Sequence, residues 1–484
     1  MRRSSRITTL ALVISLGILT FVWASRITGS VIDGDGSHSL QMAVHLLHDD
    51  VISLDDKPPF LPSMYREPLP VFVNALGVAL VDAMWGPANM SAYHFADRAR
   101  VLKYQNVAWM LLLSLGVFAA VRYLTSSFAL GLVGMFLASV PIPFTQSGLG
   151  GLGIDTLQTD LLATAMLLVA SLFAAQGFTE AKPRRIALAG LAFGALALVK
   201  AGFLYIFAGF LAVLLGLGAV SWLWERNRSG VLHAGLMAVC FALVVTPWMY
   251  RNYVQLGVFG ISERGGVVLA IRAQKDLMTP EEYRGTFYIW APSRLQPAIG
   301  RLLGFTPRDL QRGGRLQRLN RYPTSDFYDE DVKAEEAGRP DLAISYYRQA
   351  RAERTKLQLA AAAGGDARAV DADAILQSRA MAVIREHPFR HLALTIPFLW
   401  RGAFVTFPVL LVALVYAMRS RRANLAVFAL PAFGMVMFYA LLTHFIPRYS
   451  VPSVPIIIVA GVLLAQAVGG LLLRRRRVAA VTTS

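Results

Sequence analysis

Residues 69–85 read LPVFVNALGVALVDAMW, and the position of this stretch decides how the rest of the chain is arranged. It is apolar enough to contact lipid, yet it is shorter than the roughly 20 residues that usually cross a bilayer. It also carries two polar residues, Asn74 and Asp82. If it crosses, every later segment moves to the opposite side of the membrane, so the rest of the sequence must decide where it lies.

Apolar composition extends over most of the 484 residues. Hydrophobic residues make up 55% and charged residues 16%, and the mean hydropathy is +0.50. Soluble globular proteins carry about 25% charged residues and disordered chains lack this apolar content, so both classes are excluded. Ten further apolar stretches approach membrane-crossing length, at about 7–24, 104–123, 126–144, 157–177, 186–200, 202–222, 231–250, 402–418, 423–442 and 450–473. We therefore predict an all-α polytopic membrane protein with about ten transmembrane helices, the first retained as a signal anchor.

Basic residues at the ends of these stretches predict the topology. The formal net charge is +17, from 47 basic and 30 acidic residues. If 69–85 does not cross and the N-terminus is cytoplasmic, sixteen basic residues face the cytoplasm, as the positive-inside rule requires. They are Arg2, Arg3, Arg6, Arg122, Lys182, Arg184, Arg185, Arg226, Arg228, Arg419, Arg421, Arg422, Arg474, Arg475, Arg476 and Arg477. If 69–85 crosses, only the first three stay inside.

The charge pattern therefore favours a multi-pass protein of the plasma or inner membrane with both termini in the cytoplasm. The stretch 69–85 becomes a juxtamembrane helix on the outer face. The positive charge is explained by cytoplasmic helix ends and anionic membrane lipids, so no nucleic-acid partner is expected.

Two sizeable segments then lie on the outer side, residues 25–103 and 251–401. We predict three parts: a transmembrane catalytic module over 1–250 that includes the first of these loops, an extracytoplasmic region over 251–401, and C-terminal transmembrane helices with a basic tail over 402–484. The extracytoplasmic region is predicted to be mainly helical, because it lacks the alternation typical of strands. The single cysteine, Cys240, rules out an internal disulfide and a cysteine metal cluster.

Ionisable residues at the outer ends of helices form a candidate site. The five acids and three bases on this side are Asp33, Asp35, Glu67, Asp155, Asp160, Lys200, Arg251 and Arg448. Alone, each is accounted for as a turn residue, a helix cap or an interfacial anchor. Together on one face, they favour a phosphorylated lipid as ligand, because fixed cations neutralise a phosphate and a carboxylate can deprotonate an acceptor hydroxyl.

Seven short motifs occur in order along the chain. They are DGSHSLQMAVHLL (35–47), YREPLPVFVNAL (65–76), TLQTDLLATAMLL (156–168), GLAFGALALVKAG (190–202), TPWMYRNYVQLGVFGIS (246–262), AVIREHPFRHL (382–392) and PRYSVPSVPIII (447–458). In this order they resemble the GT-C superfamily of polyprenyl-phosphate-sugar-dependent glycosyltransferases, in particular the branch of protein O-mannosyltransferases and lipid A aminoarabinose transferases. The resemblance runs from residue 33 to about residue 460, with 270–380 largely outside it.

The resemblance implies roles for the acids. Asp35 would be the catalytic carboxylate, with Asp33 as the alternative. Glu67 would be the second acid of the same loop. Asp160 would be the third acid, with Asp155 as the alternative.

The resemblance also implies what the bases bind. The three cations Lys200, Arg251 and Arg448 would hold the lipid phosphate of the donor. In some relatives acids here bind a divalent metal, to which Asp35 and His38 could contribute, so the question of a metal cofactor stays open.

We therefore predict an inverting glycosyltransferase that moves a hexosyl or pentosyl group from a polyprenyl-phosphate donor to an envelope glycan, lipid or protein acceptor on the extracytoplasmic face. Inversion follows from a single displacement, which needs no second carboxylate as nucleophile. The alternative is a transporter or flippase of lipid-linked sugars, although the sequence shows no half-repeat. The motif GLGGLG at 148–153 matches a dinucleotide-binding pattern but has no preceding strand, so it predicts a loop.

Overall fold

The computed structural model describes residues 2–139, 153–363 and 369–482, and every regular element in these ranges is a helix. Seven helical segments in this part of the chain are long and apolar enough to cross a membrane, or eight if a bent pair counts as one span. These segments are Pro68–Trp85, Ala96–Thr125, Thr159–Thr179, Gly202–Glu225, Ser229–Leu256, Ala423–Leu442 and Pro447–Leu473, and the bent pair is Pro388–Ala403 with Thr406–Arg419. The predicted fold class, an all-α polytopic membrane protein, is confirmed.

The first half of the chain forms helices α1 to α11. Their bounds are α1 Arg2–Ala24, α2 Gly34–His48, α3 Pro68–Trp85, α4 Met90–Tyr93, α5 Ala96–Lys103, α6 Gln105–Thr125, α7 Phe128–Leu137, α8 Thr159–Thr179, α9 Pro183–Val199, α10 Gly202–Glu225 and α11 Ser229–Leu256. Predicted spans also fall on α7, which has 10 residues, and on α9, which has 17, but both helices are too short to count among the seven segments. The predicted loop GLGGLG lies outside the described residues except for Gly153.

The second half forms α12 to α22 and four short 3₁₀ helices. The α-helices are α12 Gly265–Ala273, α13 Pro280–Ile289, α14 Gln296–Leu303, α15 Tyr328–Glu336, α16 Tyr346–Ala363, α17 Ala369–Glu386, α18 Pro388–Ala393, α19 Thr395–Ala403, α20 Thr406–Arg419, α21 Ala423–Leu442 and α22 Val454–Thr482. The 3₁₀ helices are Gln274–Leu277, Pro307–Leu310, Gln317–Leu319 and Pro447–Ser453. The predicted span 402–418 is interrupted, because the chain bends by 103° between α19 and α20.

Helix α3 contains the stretch that decides the topology. It packs against α2, α5 and α9 through buried Val71, Val78 and Val81. Its opposite side exposes large apolar residues four positions apart, which share one face of a helix: Phe72, Leu76, Leu80 and Met84. This apolar stripe is suited to lipid contact. The helix also meets the length test for crossing, so its placement on the outer face stays a prediction.

Helices α8 and α9 lie at the centre of the bundle. Helix α8 is buried on nearly all sides and packs against α6, α9 and α21. Helix α9 approaches α11 closely through Gly190 and Gly194, four residues apart: a Cβ atom on Gly194 would lie 2.7 Å from Cβ of Val244. Small residues at this spacing let two membrane helices pack backbone to backbone. The close packing fixes the end of α9, where Lys200 is the C-cap.

Candidate active site

The start of α2 is held against the start of α8. Gly36 in the first turn of α2 lies so near the chain before α8 that a Cβ atom would be 2.8 Å from the carbonyl oxygen of Leu157. Only glycine allows this approach. Asp35 and Asp160, each in the first turn of its helix, are therefore brought to the same place. A carboxylate at a helix N-terminus is stabilised by the helix dipole.

Asp35 is bound by three arginines from distant parts of the chain. Its Oδ1 accepts from Nη2 of Arg66 at 2.5 Å and lies 3.5 Å from Nη1 of Arg264. Its Oδ2 accepts from Nη2 of Arg448 at 3.1 Å. Burial raises the pKa of Asp35, but the three guanidinium groups outweigh that effect and hold the pKa far below its usual range. Asp35 is thus a carboxylate at any physiological pH.

Arg448 links half-buried Asp35 to a second carboxylate, which is buried. Its Nε donates to Oδ2 of Asp160 at 2.5 Å, while Nζ of Lys200 donates to Oδ1 of the same carboxylate at 2.6 Å. Asp160 is 6% exposed, so these contacts are shielded from water. The result is one continuous network, here called the Asp35 network, which consists of Asp35, Asp160, Arg66, Lys200, Arg264 and Arg448.

The Asp35 network contains more cations than anions. Four basic side chains bind two carboxylates. Within the described residues, the Nε–H groups of Arg66 and Arg264 are also buried without a hydrogen-bond partner. Buried polar groups are normally satisfied, so unused donors beside an excess of positive charge indicate a site for an anion.

Glu67 lies at the edge of this network, whereas Arg251 contacts the loop that leads into α3. Glu67 is the N-cap of α3, and its carboxylate accepts from the backbone N–H of Ala201, next to Lys200, at 3.2 Å. Arg251 stacks on Trp248 at 4.8 Å and donates to the carbonyl oxygen of Ser63 at 3.4 Å, in the loop that precedes α3. No carboxylate in the described chain pairs with Arg251, so its charge is available to a ligand.

The two alternative acids lie elsewhere. Asp33 is the exposed N-cap residue of α2, and its side chain makes no capping hydrogen bond. Asp155 accepts from the backbone and hydroxyl of Thr28 at 2.8 and 2.5 Å, from the hydroxyl of Ser30 at 3.0 Å and from Nζ of Lys103 at 3.1 Å. Geometry therefore favours Asp35 over Asp33 and Asp160 over Asp155 as members of the site.

We expect Asp155→Asn to destabilise the protein. The amide removes the charge opposite fully buried Lys103 and cannot accept all four hydrogen bonds, which should cost on the order of 2 kcal/mol. The thermal unfolding midpoint of the purified protein measures this loss. Asp97→Asn, at an exposed position, is the control. Equal midpoints for the two variants would contradict a structural role for Asp155.

The residues considered for a metal are already engaged with an arginine. Nη2 of Arg66 lies 2.5 Å from Oδ1 of Asp35 and 2.8 Å from Nδ1 of His38. Because arginine only donates, Nδ1 of His38 accepts, and burial together with Arg66 lowers the pKa of this histidine. The described residues contain no group of three or more metal-ligating side chains. Asp35 and His38 thus have a guanidinium between them where a shared metal ion would have to lie.

Two solved structures resemble the chain over most of its length. ArnT from Cupriavidus metallidurans bound to undecaprenyl phosphate aligns with 96% of this chain and 79% of its own, at 13% identity and a TM-score of 0.37. The apo state of the same protein aligns with 94% of this chain and 77% of its own, at 14% identity and a TM-score of 0.38. Neither a protein-family model nor a curated protein matches the sequence. The function proposed below therefore rests on the site.

Three residues of the site, Arg66, Arg264 and Tyr65, receive no role from the sequence alone. The Tyr65 ring lies 5.2 Å from the guanidinium carbon of each arginine. These cation–π contacts help to hold both guanidinium groups beside Asp35. Arg66 directly precedes Glu67 in the second of the seven motifs, so its position is a usable signal. Nothing in the sequence points to Arg264, because it lies in a loop and its partner Asp35 is 229 residues away.

Glu263, next to Arg264, gives the folded protein a distinct pH dependence. Burial raises its pKa from the usual 4.5 to about 7, with a contribution from Asp373, against the opposing effect of Arg354. Between about pH 4.5 and pH 7, Glu263 therefore keeps its proton in the folded state but has lost it in the unfolded state. Stability should fall as pH rises from about 4.5 to about 7, by at most about 3 kcal/mol.

We expect Glu263→Gln to remove this part of the pH dependence. Unfolding midpoints of wild type and variant should diverge as pH increases through that interval, with the variant the more stable at the upper end. Glu336→Gln, at an exposed position, should follow the wild-type profile. A wild-type-to-variant difference that is constant with pH would contradict the raised pKa of Glu263.

Proposed function

We propose that the protein is a membrane glycosyltransferase that transfers a sugar from a polyprenyl-phosphate donor to an acceptor hydroxyl or amine on the extracytoplasmic face. The observation that carries the proposal is the composition of the Asp35 network. It holds an excess of fixed cations with unused N–H groups around a carboxylate. Such a site can stabilise a phosphate leaving group and take up a proton from the acceptor.

The donor's phosphate would lie among Lys200, Arg251 and Arg448. A sugar phosphodiester carries one negative charge, and the released phosphomonoester carries more. Fixed cations in a site shielded from water bind the product-like charge more strongly than the substrate, which lowers the barrier to bond cleavage. Lys200 and Arg448 already lie on either side of the Asp160 carboxylate, which holds them in place.

The donor's lipid tail would follow α3. Arg251 stacks on Trp248, and the Trp248 ring contacts Phe72 with 6.1 Å between centroids. Phe72 is the first residue of the exposed apolar stripe that continues through Leu76 and Leu80. A phosphate at Arg251 would therefore have a continuous apolar path beside it, as an amphiphilic lipid requires.

Transfer would proceed by a single displacement. The acceptor oxygen or nitrogen forms a bond to the anomeric carbon, the bond from that carbon to the phosphate oxygen breaks, and the bonding pair leaves with the lipid phosphate. The acceptor's proton passes to the Asp35 carboxylate. Because attack and departure occur on opposite faces, the configuration is inverted.

Donor binding would also make Asp35 a better base. In the ligand-free protein its two oxygens are bound by Arg66, Arg264 and Arg448. A phosphate that accepts a hydrogen bond from Arg448, which belongs to both the proposed phosphate site and the Asp35 pairings, takes away part of this counter-charge. The pKa of Asp35 then rises towards the range in which a carboxylate can accept a proton.

The test uses purified full-length protein in proteoliposomes. A panel of hexosyl and pentosyl polyprenyl phosphates, labelled in the sugar, is supplied with a membrane glycan and glycolipid fraction as acceptor. Transfer predicts label in the acceptor together with release of an equal amount of polyprenyl phosphate. Movement of intact donor between leaflets without release would instead support the transport alternative. A donor that is neither cleaved nor moved between leaflets would overturn both.

A further inference from the structure

A second group of cations lies apart from the Asp35 network. It consists of the basic side chains Lys275, Arg321, Arg401 and His444 together with Tyr322, and is called here the Tyr322 cluster. Nη2 of Arg401 lies 3.4 Å from the Tyr322 hydroxyl, and the guanidinium carbon of Arg321 lies 5.6 Å from the centre of the Tyr322 ring. Nη1 of Arg401 donates to the carbonyl oxygen of His444 at 3.3 Å.

The charges of this cluster are not compensated by the protein. Lys275 and Arg401 are 5% and 6% exposed, and Nζ of Lys275 donates only to the carbonyl oxygen of Ile271, at 2.9 Å. In the described ranges no carboxylate lies within ion-pair distance of Lys275, Arg321 or Arg401. The nearest acid in sequence, Asp276, is already bound by Arg272 and His391. Burial and the charges of Arg401, Arg321 and Arg272 hold the pKa of Lys275 well below its usual value, so the uncompensated charge of the cluster is that of Arg401 and Arg321. A buried guanidinium without a carboxylate partner is costly, so this arrangement indicates a place for an anion.

The Tyr322 cluster also contains a buried polar atom without a hydrogen-bond partner. His444 is 7% exposed, and its Nδ1 is buried without a hydrogen-bond partner among the described residues. Burial and the nearby charges of Arg321, Lys275 and Arg401 hold the pKa of His444 well below its usual value, so the ring is neutral. A neutral imidazole with a free nitrogen can donate to an oxyanion once one is bound.

The Tyr322 cluster adjoins the proposed active site and opens to solvent. The ring of His444 lies 5.5 Å from that of Tyr449, and the Tyr449 ring lies 5.9 Å from Nζ of Lys200 in the Asp35 network. One aromatic ring therefore separates the two groups of cations. Tyr322 is 42% exposed, so this side of the Tyr322 cluster is in contact with solvent.

We propose that the Tyr322 cluster is an anion subsite that binds an oxyanion group, a phosphate or carboxylate, of the acceptor. Its donors come from separate segments that meet at Arg401 and Tyr322, and a group with several charged oxygens can accept from more than one of them. Anchoring that group on one side of Tyr449 would place a neighbouring hydroxyl or amine near Asp35. The acceptor role rests on the proposed function; the presence of an anion site does not.

The first experiment measures binding without any transfer. Inorganic phosphate, sn-glycerol 3-phosphate and glucuronate are titrated separately into detergent-solubilised full-length protein at constant ionic strength, and the unfolding midpoint is recorded. A probe that binds raises the unfolding midpoint, and this rise is called protection here. Arg321→Gln should lower the affinity for at least one probe about tenfold, as expected for the loss of a charge-assisted hydrogen bond. Protection by the phosphates alone or by glucuronate alone identifies which oxyanion the subsite prefers.

Two control variants show whether the bound anion lies in the Tyr322 cluster. Arg312→Gln removes an exposed arginine of the same region and should bind the probes as the wild type does. Lys200→Met should leave the binding that depends on Arg321 intact, because it alters only the Asp35 network. If Arg321→Gln and Tyr322→Phe both bind every probe with wild-type affinity, the subsite is wrong, whether or not the protein transfers sugar.

The second experiment uses the transfer assay. Arg321→Gln should raise KM for the acceptor about tenfold while KM for the lipid donor stays unchanged. A general structural defect would lower kcat or change both constants. If transfer is established and the acceptor KM does not change, the Tyr322 cluster has no role in acceptor binding.

Discussion

Asp35→Asn should lower the rate of sugar transfer by about a thousandfold, the range expected when a positioned general base is removed. The amide cannot accept the acceptor's proton, and it presents only one oxygen to the three guanidinium groups that bind both carboxylate oxygens. Donor binding should survive, because the cations that would hold the phosphate remain. The measurement is single-turnover transfer of labelled sugar together with donor affinity.

The matched control for this prediction lies two residues away. Asp33 has the same side chain and the same helix terminus, but it is exposed and makes no capping bond. Asp33→Asn should therefore transfer at close to the wild-type rate. The reverse pattern, with a slow Asp33 variant and an unaffected Asp35 variant, would show that the wrong acid has been assigned to the chemistry.

The fold class can be read from the sequence because its signals are local. An apolar stretch has to satisfy its own backbone hydrogen bonds in lipid, so hydropathy identifies most of the helices. Hydropathy does not predict whether a helix is continuous. Residues 402–418 are apolar enough for a straight span, yet the chain bends by 103° just after Ala403, and composition does not encode such a bend. Similarly, composition alone does not decide whether α3 crosses or lies along the surface.

The site is accessible to sequence reasoning in part. Asp160, Lys200 and Arg448 each end or begin an apolar helix, and residues at the same end of parallel or antiparallel spans lie at the same depth. Helix ends therefore suggest candidate residues. In the structure Lys200 and Arg448 both bind the carboxylate of Asp160. Arg66 and Arg264 come from loops whose paths depend on tertiary packing. Arg448 and Asp35 are 413 residues apart, so only the folded bundle reveals that they touch.

The largest combined effect on stability and activity is expected for Arg448→Met. This side chain binds Asp35 and Asp160 at once, so its loss leaves two carboxylates facing each other across the site with less counter-charge. Removing one partner of a buried ion pair typically costs about 3–5 kcal/mol. Transfer should fall more than about a hundredfold, because a cation proposed to stabilise the leaving phosphate is also lost. The control Arg419→Met, at an exposed helix end, should change neither the stability nor the transfer rate.

A double-mutant cycle separates the two roles of Arg448. If its pairing with Asp160 stabilises the fold, Asp160→Asn combined with Arg448→Met should unfold at a higher temperature than Arg448→Met alone, because the buried charge left unpaired has been removed. Transfer should not recover, since neither change restores a cation at the phosphate. If both the unfolding temperature and the transfer rate recovered, Arg448 would serve only to neutralise Asp160. Stabilisation of the leaving phosphate would then depend on Lys200 and Arg251 alone.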